Sequence, residues 1–244
     1  MPTVKLNNGD CIAEMSRLPT NSIDLILTDP PYNLGKFMKN RDTNLKQMRE
    51  NYFGAAGWDD LSPDEWALSM NEFFFQSSRV LRPGGAIIVF MAIIKVESLI
   101  SIAEKNGFYY KTTGIWHKLN PMPRNMNLHF INSTEAWMYF TLKCKTGTFN
   151  NNGIAIHDFL ESSVTPANEK RFGKHPTQKP ERLMEHFINL LSNSGDTVLD
   201  PFMGSGSAGV AAVRRDRDFV GFELDNDYFV VAQKRIEEVQ SIVE

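Results

Sequence analysis

Cysteine is scarce, since the 244 residues hold only Cys11 and Cys144. Two thiols make no disulfide framework and suit a reducing compartment, so a cytoplasmic protein is expected. Neither has a metal-ligand neighbour at useful spacing, and both read as structural thiols. The histidines (His117, His129, His157, His175 and His186) are equally scattered, so no metal is expected. Long hydrophobic runs are missing too. No apolar run approaches the ~20 residues that span a bilayer, which argues against a membrane protein. The opening Met1-Pro2-Thr3-Val4-Lys5-Leu6-Asn7 lacks the charged-then-apolar pattern of a secretory leader. Repeats, heptads and long low-complexity tracts are also absent.

A large surplus of one charge is lacking as well: the formal net charge is −3. That is unpromising for a nucleic-acid binder until the charges are mapped. Residues 36–49, 111–145 and 170–182 each carry a net +4, which leaves −15 on the rest of the chain. Each basic stretch flanks a motif described below, and a local positive face can bind a phosphate backbone on an acidic protein. With 42% hydrophobic residues and a mean hydropathy of −0.31, the chain can bury a substantial core as one α/β domain over residues 1–244.

Strands are predicted over residues 3–6, 24–28, 86–91, 111–118, 135–142, 197–200 and 219–223. Four of them are apolar runs bounded by turn residues, the pattern of strands covered on both faces. Ser62-Pro63-Asp64-Glu65 reads as a capping box opening a helix that stops near Arg82-Pro83-Gly84-Gly85. Further helices are predicted over 94–106, 180–193 and 225–238. Strands alternating with helices predict a doubly wound sheet. Trp137, Tyr139 and the Phe73-Phe74-Phe75 run read as core. Residues 33–57 and 146–175 are polar, Asn/Gly-punctuated and aperiodic. Both are expected to be mobile segments, poorly ordered without ligand.

Two constellations carry chemistry. In the first, the strand Thr197-Val198-Leu199-Asp200 runs through Pro201-Phe202-Met203 into Gly204-Ser205-Gly206-Ser207 and a helix. Glycines there let backbone approach a ligand, and the helix N-terminus favours an anionic group. Glu223 stands nineteen residues after Gly204, at a strand end, where a carboxylate can accept both hydroxyls of a ribose. The spacing also fits a dinucleotide site, so NAD has to be weighed. Against it, Asp200-Pro201-Phe202 precedes the glycines, and the 21 residues after Glu223 suit one helix rather than a second half-domain. A carboxylate beside the loop suits a cationic ligand segment such as a sulfonium with an α-amine.

In the second, the strand over 24–28 ends in Asp29-Pro30-Pro31-Tyr32. A base's exocyclic amine is a poor nucleophile because its lone pair is delocalised into the ring. The Asp29 carboxylate and the Pro30 carbonyl can both accept its hydrogens as charge develops on nitrogen. Tyr32 offers a face on which an extruded base can stack, worth roughly 1–3 kcal/mol. Alone, the tetrapeptide could be a plain rigid turn.

Together the two motifs resemble the amino-methylating DNA methyltransferases, and their order resembles that of the β group. The resemblance spans nearly the whole chain. It implies a single Rossmann-like, S-adenosylmethionine-dependent domain with a mostly parallel, seven-stranded sheet and permuted motif order. Asp29, Pro30, Pro31 and Tyr32 would be catalytic. The cofactor would meet Asp10 (at its adenine), Cys11, Asp29, Thr177, Gln178, Lys179, Asp200, Pro201, Phe202, Gly204, Ser205, Gly206, Glu223 and Leu224. Asn120-Pro121-Met122-Pro123-Arg124-Asn125 is similar to the family loop that lines the target base. With the basic stretches, it assigns DNA contacts to Lys36, Lys39, Arg41, Lys46, Lys118, Asn120, Pro121, Arg124, Asn125 and Lys174. Adenine N6 is the expected target, because cytosine-methylating relatives more often carry Ser where Asp29 stands. Cytosine N4, or a catalytically silent partner that binds cofactor or DNA, are the alternatives, with an NAD oxidoreductase further behind. The implied partner is double-stranded DNA, and a homodimer and a cognate restriction endonuclease stay open.

Overall fold

A computed structural model describes residues 1–34, 61–122, 126–127 and 130–243. Its strands are β1 (Val4–Asn8), β2 (Ile23–Thr28), β3 (Leu81–Met91), β4 (Phe108–Lys118), β5 (Thr134–Leu142), β6 (Phe159–Ser162), β7 (Thr197–Asp200) and β8 (Asp218–Glu223). They form one sheet in the order β1-β8-β7-β2-β3-β5-β4-β6. Only β5 runs against its neighbours, β3 and β4, and every other pairing is parallel. The doubly wound, mostly parallel reading stands, but among the described residues the sheet has eight strands and not seven. The additional one is β6, which lies inside the stretch read as a loop. It is four residues long on the sheet's edge, with alternate residues exposed, and so lacks an apolar run.

The helices are α1 (Cys11–Ser16), α2 (Pro63–Val80), α3 (Val96–Lys105), α4 (Glu181–Leu191), α5 (Ser207–Arg214) and α6 (Asn226–Val243). The Ser62 capping box forms as read, with Glu65 N–H donating to Ser62 Oγ (3.2 Å) and Ser62 N–H to Glu65 Oε2 (2.7 Å). α1 was not predicted. Its six residues are too few for a periodic signal, although Asp10 caps it by accepting from the Ala13 N–H at 3.0 Å. α2 stops at Val80, beside the Arg82-Pro83-Gly84-Gly85 stretch read as its end, and that stretch already belongs to β3, whose register against β2 is irregular between Ile23 and Leu25.

Central strands send alternate side chains to two apolar layers. Leu25, Leu27, Ile88 and Phe90 pack against α4, α5 and α6 through Phe187, Val210 and Ile236. Ile26, Ile87 and Val89 pack against α2 and α3 through Phe73, Phe74 and Leu99. Trp137, Tyr139, Phe73 and Phe74 are core, whereas Phe75 is 52% exposed. This arrangement positions the site. The chain leaves β7 toward β8 and leaves β2 toward β3 on the other side. The carboxyl ends of β2, β7 and β8 therefore open onto one crevice at the switch in strand order, where α/β folds take ligands.

Candidate active site

The crevice floor is tied together before any ligand is considered. Thr28 Oγ1 at the end of β2 donates to Asp200 Oδ1 at the end of β7, 2.7 Å away and buried. The Phe202 N–H donates to the same oxygen at 3.1 Å. One strand further, Glu223 accepts from the Gly204 N–H (2.9 Å) and the Asp225 N–H (2.8 Å), so its carboxylate holds the glycine turn. Gly204 and Gly206 both have positive φ (51° and 78°), which L side chains rarely adopt. A Cβ on Gly204 would meet His175 Nε2 at 3.2 Å, at the cavity wall. A Cβ on Gly206 would instead meet Ala232 of α6 at 3.0 Å.

Above this floor lies a cavity of about 390 Å³. Its wall includes Asp29, Pro30, Pro31, Tyr32, Thr177, Gln178, Lys179, Asp200, Phe202, Gly204, Ser205 and Glu223. Two motifs some 170 residues apart in sequence thus share one space. Asp10, Cys11, Pro201, Gly206 and Leu224 are not among the lining residues. The Cys11 thiol is pushed up to about 12 by burial and by the charge of Asp10, which leaves it protonated at neutral pH.

Two lining groups, His175 and Glu135, had no site role assigned to them from the sequence. His175 packs edge-on against Tyr228 (4.4 Å between ring centres), and burial together with Lys179 pushes it down to about 4, so it is neutral at pH 7. Its place ahead of Pro176-Thr177-Gln178-Lys179 was the available signal. Glu135 had only one: a lone acid leading into the apolar run of β5.

Around Asp29 the structure assembles a half-buried charge network centred on the buried Lys179. Tyr32 Oη donates to Asp29 Oδ1 at 2.7 Å and lies 3.1 Å from Glu135 Oε2. Lys179 Nζ pairs with Asp29 Oδ2 and lies 3.1 Å from Glu135 Oε2. Lys118 Nζ pairs with Glu135 Oε1. Burial and the charge of Glu135 push the Asp29 carboxyl up against the pull of Lys179. Burial also opposes ionisation of Glu135, but Lys179 and Lys118 outweigh it and hold the group down at about 2. Burial opposes the charge of Lys179 as well, and the two carboxylates overcome it.

Of the residues expected on DNA, Lys118, Asn120, Pro121 and Lys174 are among those described. Lys118 turns inward to Glu135. Asn120 Oδ1 accepts from the Val164 N–H at 2.8 Å and ties the end of β4 to the stretch after β6. Pro121 is half-buried and Lys174 exposed. Lys36, Lys39, Arg41, Lys46, Arg124 and Asn125 lie outside the described residues. Among the described residues, no group of three or more His, Cys, Asp or Glu could hold a metal ion, and no helix is long and apolar enough to cross a membrane.

The donor set suits S-adenosylmethionine. Asp200 is a buried carboxylate whose recorded partners are neutral donors, pushed up to about 7 mainly by burial. Such a group gains from a cationic neighbour. Glu223 lines the same cavity, a carboxylate that can accept from hydroxyls, and Gly204 leaves room that a side chain would take.

Sheet order and crevice define an α/β methyltransferase that uses S-adenosylmethionine. Within that class the chain belongs to the DNA methylase family of N6 and N4 amino-methyltransferases, whose model matches residues 23–234. It is similar to the Type II methyltransferase M2.DpnII of Streptococcus pneumoniae, 32% identical over 242 residues, covering 95% of this chain and 89% of that protein. Similarity to the Type II methyltransferase M2.LlaDCHI of Lactococcus lactis subsp. cremoris is alike: 32% over 241 residues, covering 95% and 88%. Among solved structures, an M1.HpyAVI–SAM complex superposes with a TM-score of 0.71 at 27% identity, over 96% of this chain and 99% of that one. The PvuII DNA methyltransferase, described as cytosine-N4-specific, superposes with a TM-score of 0.77 over 99% and 92%. At 19% identity its likeness bears on the fold alone.

Proposed function

We propose that this chain methylates the N6 amine of adenine in double-stranded DNA, with the target base turned out of the stack into the cavity. The observation that supports it best is Asp29, a carboxylate at the end of β2 that lines the same cavity as Asp200 and Glu223. It stands where cytosine-methylating relatives more often carry Ser.

Asp200, Glu223, Gly204, Ser205, Phe202 and the 177–179 stretch would hold S-adenosylmethionine. When bound, that molecule supplies an electrophilic methyl group on a sulfonium. The chain's residues prepare the nucleophile. Asp29 and the Pro30 carbonyl accept the amine's hydrogens and so favour charge building on nitrogen. Pro30 and Pro31 hold the turn rigid. Tyr32 presents a ring to the extruded base. Positioning supplies most of the rate, and the crevice needs no covalent enzyme intermediate. On this reading residues 1–244 are one methyltransferase domain, and the basic residues of 33–57 together with 146–175 face DNA.

The test is product identity. Unmethylated DNA is incubated with the purified chain and S-adenosylmethionine, digested to nucleosides and resolved by mass. N6-methyldeoxyadenosine is the expected product. N4-methyldeoxycytidine would replace adenine by cytosine in this reading, and no methylated nucleoside would overturn it.

A further inference from the structure

The network around Asp29 holds more charge than an amine acceptor requires. Both oxygens of Asp29 are already engaged, Oδ1 by Tyr32 and Oδ2 by Lys179. An incoming amine needs one of them. The ammonium of Lys179 has a second seat at hand, because Glu135 Oε2 lies 3.1 Å from Nζ. Glu135 is kept in place by Lys118 from β4, at its other oxygen. The Lys179 side chain is only 6% exposed, so water is a poor substitute for either carboxylate. Two acceptors thus flank one buried cation; both line the cavity, and Asp29 stands at the amine-acceptor position.

We propose that Lys179 is a positioning residue acting as a latch: it occupies Asp29 Oδ2 until the target amine arrives, then passes to Glu135. This rests on the reading of Asp29 as the amine's acceptor. In the latched state the ammonium keeps Asp29 ionised in a setting where burial works the other way. On arrival of the amine, the N–H donor takes the vacated oxygen, and Lys179 stays paired and close enough to hold the carboxylate ionised by charge alone. Groups facing Asp29 come from each neighbouring element: Tyr32 from its own loop, Lys179 ahead of α4, Glu135 on β5 backed by Lys118 on β4, and Asp200 on β7.

The test is kcat against pH, at saturating cofactor and DNA, for the wild type, Lys179→Met, Lys179→Arg and Glu135→Gln. Removing the cation leaves burial and Glu135 raising Asp29 against the hydrogen bond from Tyr32 alone. Lys179→Met should therefore move the acid limb upward by about one pH unit or more, with activity recovering as pH rises. Lys179→Arg should restore the limb. Glu135→Gln strips the second seat of its charge, leaving only a neutral amide oxygen for the ammonium, and removes a like charge from beside Asp29. It should lower kcat by about fivefold or more with no upward shift of the limb. A Lys179→Met enzyme slowed by the same factor at every pH overturns the latch. So does one that loses cofactor affinity while kcat is unchanged. If Lys179→Met does not fold, Glu135→Gln decides, and an unchanged kcat there overturns it. Asp29→Ala separates the layers: turnover in that variant removes the acceptor reading, whereas an inactive Asp29→Ala beside a pH-independent Lys179→Met removes the latch alone.

Discussion

At the scale of single residues, Asp200 couples cofactor binding to pH. Burial, with Asp29 and Glu223 adding negative charge nearby, pushes it up to about 7. A carboxyl raised in the folded state contributes stability below its unfolded pKa and loses it as pH rises through about 7. A cationic ligand favours the ionised form, so affinity for S-adenosylmethionine should rise through about pH 7 and level off above it. Calorimetry at about pH 6 and pH 8 should show several-fold weaker binding at the lower value, and Asp200→Asn should flatten that dependence. Equal slopes for both proteins would remove Asp200 from the cofactor site. Tyr32 has two parts with separate consequences. Tyr32→Ala should lose roughly 1–3 kcal/mol of base stacking, a factor of about 5 to 150 in DNA-dependent rate. Tyr32→Phe keeps the ring but removes the donor to Asp29 Oδ1, so most turnover should survive while the acid limb of kcat drifts upward. A Tyr32→Ala enzyme with full activity would contradict the stacking role. The sequence reveals Asp29, Tyr32, Asp200 and Glu223 because each sits at a recognisable strand end. It leaves Glu135 unmarked, since that residue's meaning arises from contact with Tyr32 across 103 positions. Lys179 is legible as a site residue. Its pairing with Asp29 is not, because no local pattern encodes a contact over 150 positions.

At the scale of elements, the two glycines of the turn separate packing from binding. Gly206→Ala puts a Cβ at positive φ and 3.0 Å from Ala232, so it should destabilise the fold by about 1–2 kcal/mol, read as a lower thermal midpoint. Gly204→Ala meets His175 at the cavity wall, so its loss should fall on cofactor affinity as well. If Gly206→Ala leaves the midpoint unchanged, the packing of α5 on α6 does not depend on that glycine. The loop has a further anchor in Arg235 of α6, only 3% exposed, which donates to Ser205 O and pairs with Glu181 Oε1 at 2.7 Å. Strands β2, β7 and β8 can be read from the sequence because both faces are covered and each carries a short apolar run bounded by polar residues. β6 and α1 cannot, being four and six residues long and held by neighbours rather than by their own pattern.

At the scale of the whole molecule, charge and crevice have to cooperate on an acidic chain. Neutralising Lys39, Arg41 and Lys46 together should weaken DNA binding and flatten its dependence on salt, because released counterions scale with phosphate contacts. An unchanged slope of log affinity against log salt would place that basic stretch away from DNA. The central claim is that a crevice formed by the ends of β2, β7 and β8 both holds S-adenosylmethionine and presents Asp29 to an amine of a DNA base. Its most direct test is transfer of labelled methyl groups to unmethylated DNA by the purified chain alone, wild type beside Asp29→Ala, with cofactor affinity measured on the same preparations. The account predicts transfer by the wild type, none by Asp29→Ala, and cofactor affinities within about threefold of each other. Near-normal transfer by a folded Asp29→Ala enzyme would contradict it.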